Sequence, residues 1–497
     1  MTRDLRIRRL TVQQYGWTLN DMGYDYNGFN HVYLKGNKLQ QSTYVFTIET
    51  DAGITGEYVG GNSVSYAQVA MVADYLIGKN ALEREVIWND IKRALRKHDR
   101  FGLGPIDIAL WDIAGKAYNA PIYELLGGWR KTLPAYASTY HGDLNGGLDS
   151  PEAFAAFAVQ CKEMGYPAFK IHGWGNPDID REVATVLATR KAVGDKMDLM
   201  IDPACEYNTF GDALKVGRAC DEANFFWYED PYKDGGTSAH AHRRLRELIK
   251  TPILLGEHVR GFELHVDQII ADGTDYVRAD VDYDGGITGL MKLAHAAEGF
   301  GLDLEIHAPG PAPRHCMAAI RNTNYYELGL VHPLVAGYPA QNPVFTDFSD
   351  ALDAVDANGH VPVPQGPGLG VTINWDWSAP TKSASRLRIR PAGRRDAEND
   401  AETRAIGCTH TTRRANMVTR PPGAQSAKAD FAATRRSPSA RGFNPWASRA
   451  APLPSRATCN QSLSTSPRIR CAAAKGDRRR LHRPPYPPPP SSTPSPR

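Results

Sequence analysis

The chain has 497 residues, 42% of them apolar and 23% charged, more than one ordinary domain needs and enough to bury a large core. Its net charge of +3 conceals an asymmetry: from Lys382 onward 24 Lys/Arg stand against 6 Asp/Glu, leaving 34 against 49 before that point, so the long first part is acidic. No apolar run reaches the roughly 18 residues of a membrane span, the charged start Met1–Arg9 is unlike a signal peptide, and seven scattered cysteines without a CxxC pair argue against a disulfide framework or a thiolate zinc site, so a cytoplasmic protein is expected.

Residues 1–130 read as a separate α+β module. Thr43–Glu49 alternates as a strand, and Asp51-Ala52-Gly53 turns it into a second one at Thr55–Val59. Ile106, Ala109, Leu110, Ile113, Ala114 and Ala117 recur at the spacing of one apolar helix face, and Gly127-Gly128 ends the next helical stretch. From 131 to 357 strands and helices alternate, opening with the strand Leu133–Ser138 and including helical stretches Pro151–Met164 and Arg181–Val193. Residues 358–377 are expected to form a last strand returning to the first module. After Ser378 aliphatic residues become sparse, and from Lys382 there are 16 prolines and 21 arginines. Such a stretch cannot bury enough apolar surface to offset the entropy of ordering, so 378–497 is expected to be a disordered tail. Its arginines lack the interleaved aromatics of a nucleic-acid arm, and neither nucleic acid nor membrane is expected as a partner.

Within 131–357 seven short apolar segments each end on a side chain that can bind a metal or move a proton: His172, Asp202, Glu229, Glu257, Asp280, His307 and Glu327. Their spacing is regular. A parallel strand with its crossover helix and two loops takes roughly 25–35 residues, and most of the steps between these side chains match that length. The ladder therefore implies consecutive βα units of a (β/α)8-type barrel, whose strand C-termini share one face and carry the active site.

Three successive ends, Asp202, Glu229 and Glu257, offer hard carboxylate oxygens suited to Mg²⁺, or Mn²⁺, rather than zinc. Lys170 and His172 lie two apart and so on one side of their strand; the lysine is expected to neutralise a substrate carboxylate and the histidine to act as a general base. Asp280 beside His307 would fix the imidazole tautomer and raise its basicity, preparing a second acid/base. Glu327 is expected to donate or share a proton with a substrate carboxylate oxygen. Together these parts suit removal of the α-proton of a carboxylate, with cationic groups placed where the enediolate charge develops.

Ile106–Ala117 (IDIALWDIAGKA), Trp227-Tyr228-Glu229-Asp230-Pro231 and Gly285-Gly286-Ile287-Thr288-Gly289 resemble the mandelate racemase group of the enolase superfamily, over about residues 1–378. The resemblance implies a capping domain built from both chain ends over a modified barrel, with Mg²⁺ held by Asp202, Glu229 and Glu257. It also implies a homo-oligomer and a substrate lid at Gly23–Phe29, within 20–30, in which Tyr24 and Tyr26 meet the substrate. Ser138 and His258 are further expected substrate contacts. The group's second strand commonly carries Lys-x-Lys where this chain has Lys170-Ile171-His172, and that departure favours dehydration of an acid sugar to a 2-keto-3-deoxy acid. The alternative is a racemase, epimerase or cycloisomerase using the same residues.

Overall fold

A computed structural model of the chain describes residues 4–335, 344–375 and 386–389. The first strands, β1 (Ile7–Tyr24) and β2 (His31–Thr50), form one long antiparallel hairpin, and β3 (Thr55–Gly60) pairs with the second half of β2. Thr43–Glu49 is thus only the buried half of a longer strand; the other half is polar and exposed, so it carries no alternating apolar signal. Four helices follow: α1 (Ser63–Leu76), α2 (Arg84–Ala94), α3 (Leu103–Tyr118) and the single turn α4 (Ile122–Leu125).

Helix α3 is buried on more than one face. Asp107, Ile108 and Asp112 are as enclosed as Ile106, Ala109 and Ile113, because the helix lies between the β1–β3 sheet and the rest of the chain. Close approach is possible only at glycine: a Cβ on Gly104 would stand 2.2 Å from the Asp282 carbonyl oxygen, and one on Gly286 2.4 Å from Asp107 Oδ2. Asp107 in turn accepts from Thr288 N at 2.9 Å and Thr288 Oγ1 at 2.7 Å. The helical motif and the glycine motif are therefore two halves of one contact.

The barrel alternates β4 (Thr132–His141), α5 (Pro151–Glu163), β5 (Ala168–His172), α6 (Ile179–Val193), β6 (Asp198–Asp202), α7 (Phe210–Glu222), β7 (Trp227–Glu229), α8 (Ala239–Arg246), β8 (Ile253–Leu255), α9 (Phe262–Ile270), β9 (Tyr276–Asp280), α10 (Gly286–Phe300), β10 (Asp303–His307), α11 (Pro311–Ala319) and β11 (Tyr326–Val331). β4 to β10 pair in parallel in chain order, and β11 returns in parallel to β4. Eight strands and seven intervening helices make a modified (β/α) barrel. Local signals start its helices: Ser150 caps α5 ahead of Pro151, Asp178 caps α6, and Thr209 with Asp212 forms a capping box on α7.

The C-terminal segment differs from its expected form. β12 (His360–Pro362) pairs antiparallel with the start of β4, at the barrel's floor. Beyond it the chain runs as irregular backbone: Leu369 N donates to Asp112 of α3 at 2.8 Å, and Ile373 packs with Tyr15 and Val45 of the first sheet. Two glycines at positive φ, Gly368 and Gly370, break the strand pattern that the sequence suggests there. The strand that rejoins the first sheet is β13 (Arg386–Ile389), antiparallel to β1 at Leu10–Gln13. It lies inside the stretch expected to be disordered, where Arg386-Leu387-Arg388-Ile389 carries a short period-two pattern. The rest of the expected tail, and Asp376 and Trp377, lie outside the described residues. Among the described residues no helix is long and apolar enough to cross a membrane.

Candidate active site

Interior positions recur every second residue along the barrel strands, so each strand contributes one side chain to each of several layers. The floor is apolar and comprises Tyr136, Ala168, Met200, Trp227 and Leu254. One step higher Ser138, Lys170, Glu229, Arg278 and Glu327 form a buried polar layer. The strand ends above it bring His172, Asp202, Asp280 and His307 to one face, aligned by the pairings His172↔Asp202 and Asp280↔His307.

Asp202 and Glu229 end β6 and β7, and Glu257 follows β8 by two positions; one oxygen from each lies within 4.8 Å of the others. An all-oxygen donor set of this kind fits Mg²⁺. Burial would raise the Asp202 carboxyl, but Lys170 and His172 hold it well below the usual range. Glu257 is likewise opposed by burial and held down by His307 and His258. Glu229 is pushed up by burial against the pull of Arg278.

His172 Nδ1 lies 2.7 Å from the Thr139 carbonyl oxygen, which can only accept, so Nδ1 carries the hydrogen and Nε2 is the ring atom turned toward the strand ends. Nε2 stands 3.1 Å from Asp202 Oδ2. His307 Nδ1 donates to Asp280 Oδ2 at 2.6 Å, leaving Nε2 3.4 Å from Glu257 Oε1. Burial would lower this imidazole, yet Glu257 and the Asp280 hydrogen bond raise it to about 9. Asp280 is itself fixed by the Asp282 N–H at 2.6 Å and the Tyr283 N–H at 2.9 Å.

Two of the expected site residues are closely surrounded by charged partners. Lys170 does not line the cavity: its ammonium lies 3.3 Å from Asp202 Oδ2, 3.0 Å from Glu229 Oε2 and 3.0 Å from Glu327 Oε1, one layer below the strand ends. Its recorded hydrogen bonds go to Asp202 and Glu229, and Glu327 is an ion-pair neighbour. At Glu327 burial is outweighed by Arg278, Lys170 and His307, and the carboxyl is held well below its usual range. Its oxygens accept from Ser138 Oγ at 3.0 Å, Arg278 Nη2 at 2.6 Å and Ala308 N at 2.9 Å. Ser138 is spent on that bond beneath the cavity. Glu327 is also not a strand end; β11 continues past it to Val331.

Above these groups is a cavity of about 590 Å³ lined by His172, Asp202, Glu257, His307 and Glu327 from the barrel and by Trp17, Phe29, Asn30 and Tyr58 from the first module. His258 is on its wall. Tyr24 and Tyr26 are not: Tyr24 packs on the His31 ring, and Tyr26 turns its hydroxyl to Glu206 at 3.2 Å. The tip of the β1–β2 hairpin is instead latched by that one carboxylate, which also accepts from Asn27 Nδ2 at 2.9 Å and Asn30 Nδ2 at 3.2 Å.

Three lining residues escape the sequence reading. His141 ends β4, packs tilted against His172 with ring centres 4.9 Å apart, and is lowered by burial and by that neighbour to about 3, so it is neutral. It stands one ladder step before His172 and is lost when the strand is ended early at Ser138. Asp282 bonds Tyr58 OH at 2.7 Å and is pushed to about 7 by burial and by Asp280. Glu206 has no local signal, since its partners lie on the β1–β2 hairpin at the other end of the first module.

Residues 33–127 match the N-terminal domain described for mandelate racemase and muconate lactonizing enzymes, and 153–377 match the domain described as enolase C-terminal domain-like. A D-galactarolactone cycloisomerase of Agrobacterium fabrum is 31% identical over 66% of this chain and 88% of its own length. The chain belongs to the mandelate racemase and muconate lactonizing enzyme family. An L-talarate/galactarate dehydratase of Salmonella typhimurium is 28% identical over 63% of this chain and 75% of its own. The crystal structure of a D-glucarate dehydratase from Agrobacterium tumefaciens, complexed with magnesium, superposes with a TM-score of 0.68 at 30% identity, covering 76% of this chain and 98% of that one. Family membership and the structural likeness agree with the modified barrel and its capping module described above.

Proposed function

We propose that this chain is a Mg²⁺-dependent dehydratase of an acid sugar, with Asp202, Glu229 and Glu257 as the metal-holding set. The observation that carries the reading is one cavity faced by Asp202 and Glu257, with Glu229 within 4.8 Å of them, and by two histidines on strands β5 and β10, one of them in an Asp–His pair. When bound there, Mg²⁺ supplies positive charge to the substrate's carboxylate oxygens as the α-carbon loses its proton.

His172, with Nδ1 fixed on Thr139, takes the α-proton at Nε2. His307, its Nδ1 held on Asp280, gives a proton from Nε2 to the departing β-hydroxyl. The resulting enol tautomerises to a 2-keto-3-deoxy acid. Lys170 and Arg278 hold the carboxylates of the layer below in place, and neutral His141 offers a hydrogen-bond contact to the substrate's distal end. Phe29 and Trp17 stand at the cavity beside the latched hairpin tip, which would shield it on closing over substrate.

Dehydratases and a cycloisomerase both occur among the similar proteins, so a second fate of the same enediolate, reprotonation in a racemase, epimerase or cycloisomerase, stays as the alternative. Screening acid sugars with added Mg²⁺ for 2-keto acid formation tests the proposal. Deuterium incorporation at Cα in D₂O without loss of water, for every acid that reacts, would establish the alternative instead.

A further inference from the structure

Directly beside the oxygen triad stands a second cluster of different chemistry. Cys205, Asp230 and His258 come from the loops after β6, β7 and β8, and one donor atom from each lies within 4.8 Å of the others. Asp230 is only 1% exposed, yet neither carboxylate oxygen has a hydrogen-bond partner. Burying a carboxylate in this way is costly unless a cation accompanies it. Its sole ion-pair neighbour among the described residues, His258 Nε2, is 3.6 Å from Oδ2. The space around the carboxylate is kept open by Gly236, where a Cβ would come within 2.5 Å of Asp230 Oδ1. The Cys205 N–H donates to the Asp230 carbonyl at 2.8 Å, which fixes the two residues side by side, and the Cys205 thiol is in no disulfide.

We propose that Cys205, Asp230 and His258 form a second cation site, selective for a thiophilic divalent ion of the Zn²⁺ class. One sulfur, one nitrogen and one oxygen ligand suit Zn²⁺ or Co²⁺ and are poor for Mg²⁺, whereas the neighbouring triad has the opposite preference. The buried carboxylate gains its missing partner. Three protein ligands leave one position open, and one of the three, His258, lines the substrate cavity. The ion ties three strand-end loops together and removes His258 as a hydrogen-bond donor to substrate. Successive ligands are separated by a whole barrel repeat, so no short zinc motif marks the site in the sequence.

The test is a Co²⁺ titration of the full chain with Mg²⁺ in excess. A near-ultraviolet thiolate-to-cobalt absorption is expected, saturating at one equivalent and abolished by Zn²⁺. Cys205→Ser should remove the band, His258→Gln should weaken Co²⁺ binding at least about tenfold, and Asp202→Asn, in the oxygen triad, should leave the band in place. Far-ultraviolet circular dichroism checks that each variant is folded, and His258, 35% exposed, gives an arm that does not disturb the core. Absence of the band, its persistence in Cys205→Ser (as from Cys408, Cys459 or Cys471), or indifference to His258→Gln would overturn the site. The readout needs no turnover, so it fails or holds independently of the dehydratase reading.

Discussion

Replacing Asp280 by Asn tests the Asp–His pair on which the second acid/base depends. The variant keeps the size of the side chain, and its carbonyl can still accept from the N–H groups of Asp282 and Tyr283, at 2.6 and 2.9 Å in the parent. Toward His307 it presents an NH₂ where the parent presents Oδ2 at 2.6 Å. Two donors then face each other, so the ring adopts the tautomer whose Nδ1 accepts, and Nε2 becomes the hydrogen-bearing atom of a neutral ring. A hydrogen bond to a charged group is worth about 1.5–3 kcal/mol, which converts to roughly a 10- to 150-fold loss in kcat at about 1.36 kcal/mol per decade. The full contribution of general acid–base catalysis, about 10⁴-fold, is the ceiling. The assay follows one reactive acid sugar in D₂O, measuring keto-acid formation and Cα–H exchange in the same tube. With His172 as base and His307 as acid, elimination falls by that factor while exchange changes less than about threefold. An unchanged kcat refutes the role of the pair; equal loss of exchange and elimination assigns the α-proton to His307 instead.

Glu182, buried on α6 and raised by burial to about 7, accepts from Trp174 N at 3.0 Å. Its folded pKa lies above its unfolded one, so the native state binds the extra proton and stability falls as pH rises between about 4.5 and 7. Glu182→Gln removes this cost, about 3 kcal/mol at pH 8, and urea unfolding at pH 4 and pH 8 should show the variant gaining on the parent only at the higher pH. Arg278→Met leaves Glu229 and Glu327 without their guanidinium, at 2.8 and 2.6 Å in the parent; a loss of about 3–5 kcal/mol in unfolding free energy is expected, and a loss under about 1 kcal/mol, the worth of a mere surface pair, would contradict the charge balance assigned to that layer. Glu206→Ala deletes the acceptor shared by Tyr26, Asn27 and Asn30. Limited proteolysis at 24–30 should then accelerate about tenfold, as expected for loss of roughly 1.4 kcal/mol of latch, with KM raised; an unchanged cleavage rate would show that other contacts hold the tip.

What is legible in the sequence is whatever is written in local period. The barrel strand ends emerge because reactive side chains close apolar segments at a βα repeat, and α3 because its buried positions recur at helical spacing. What escapes depends on partners distant in the chain. The exposed half of β2 is a strand because β1 pairs with it along almost its whole length, not because of its own alternation. β13 is a short run in an Arg/Pro-rich stretch, and a strand of that size is specified by the β1 edge it meets. The hairpin tip is legible as a turn region, but its latch on Glu206 is not, because that carboxylate lies far along the chain from Tyr26, Asn27 and Asn30.

The close charged contacts of Lys170 follow from its depth along the barrel axis. A sequence shows which residues point inward, but depth is set by register: Lys170 pairs with Met200, and His172 pairs with Asp202. A lysine two positions below a strand end therefore meets the middle layer. There two cations, Lys170 and Arg278, stand against four carboxylates, Asp202, Glu229, Glu257 and Glu327. The His307–Asp280 pair adds nothing to this balance, since the imidazolium offsets its own aspartate. Among these groups the carboxylates outnumber the cations, and buried Asp230 beside them adds a further acid. Lys170 and Arg278 thus offset part of the charge of the middle layer, and stop short of cancelling the charge that would draw Mg²⁺ to the strand ends.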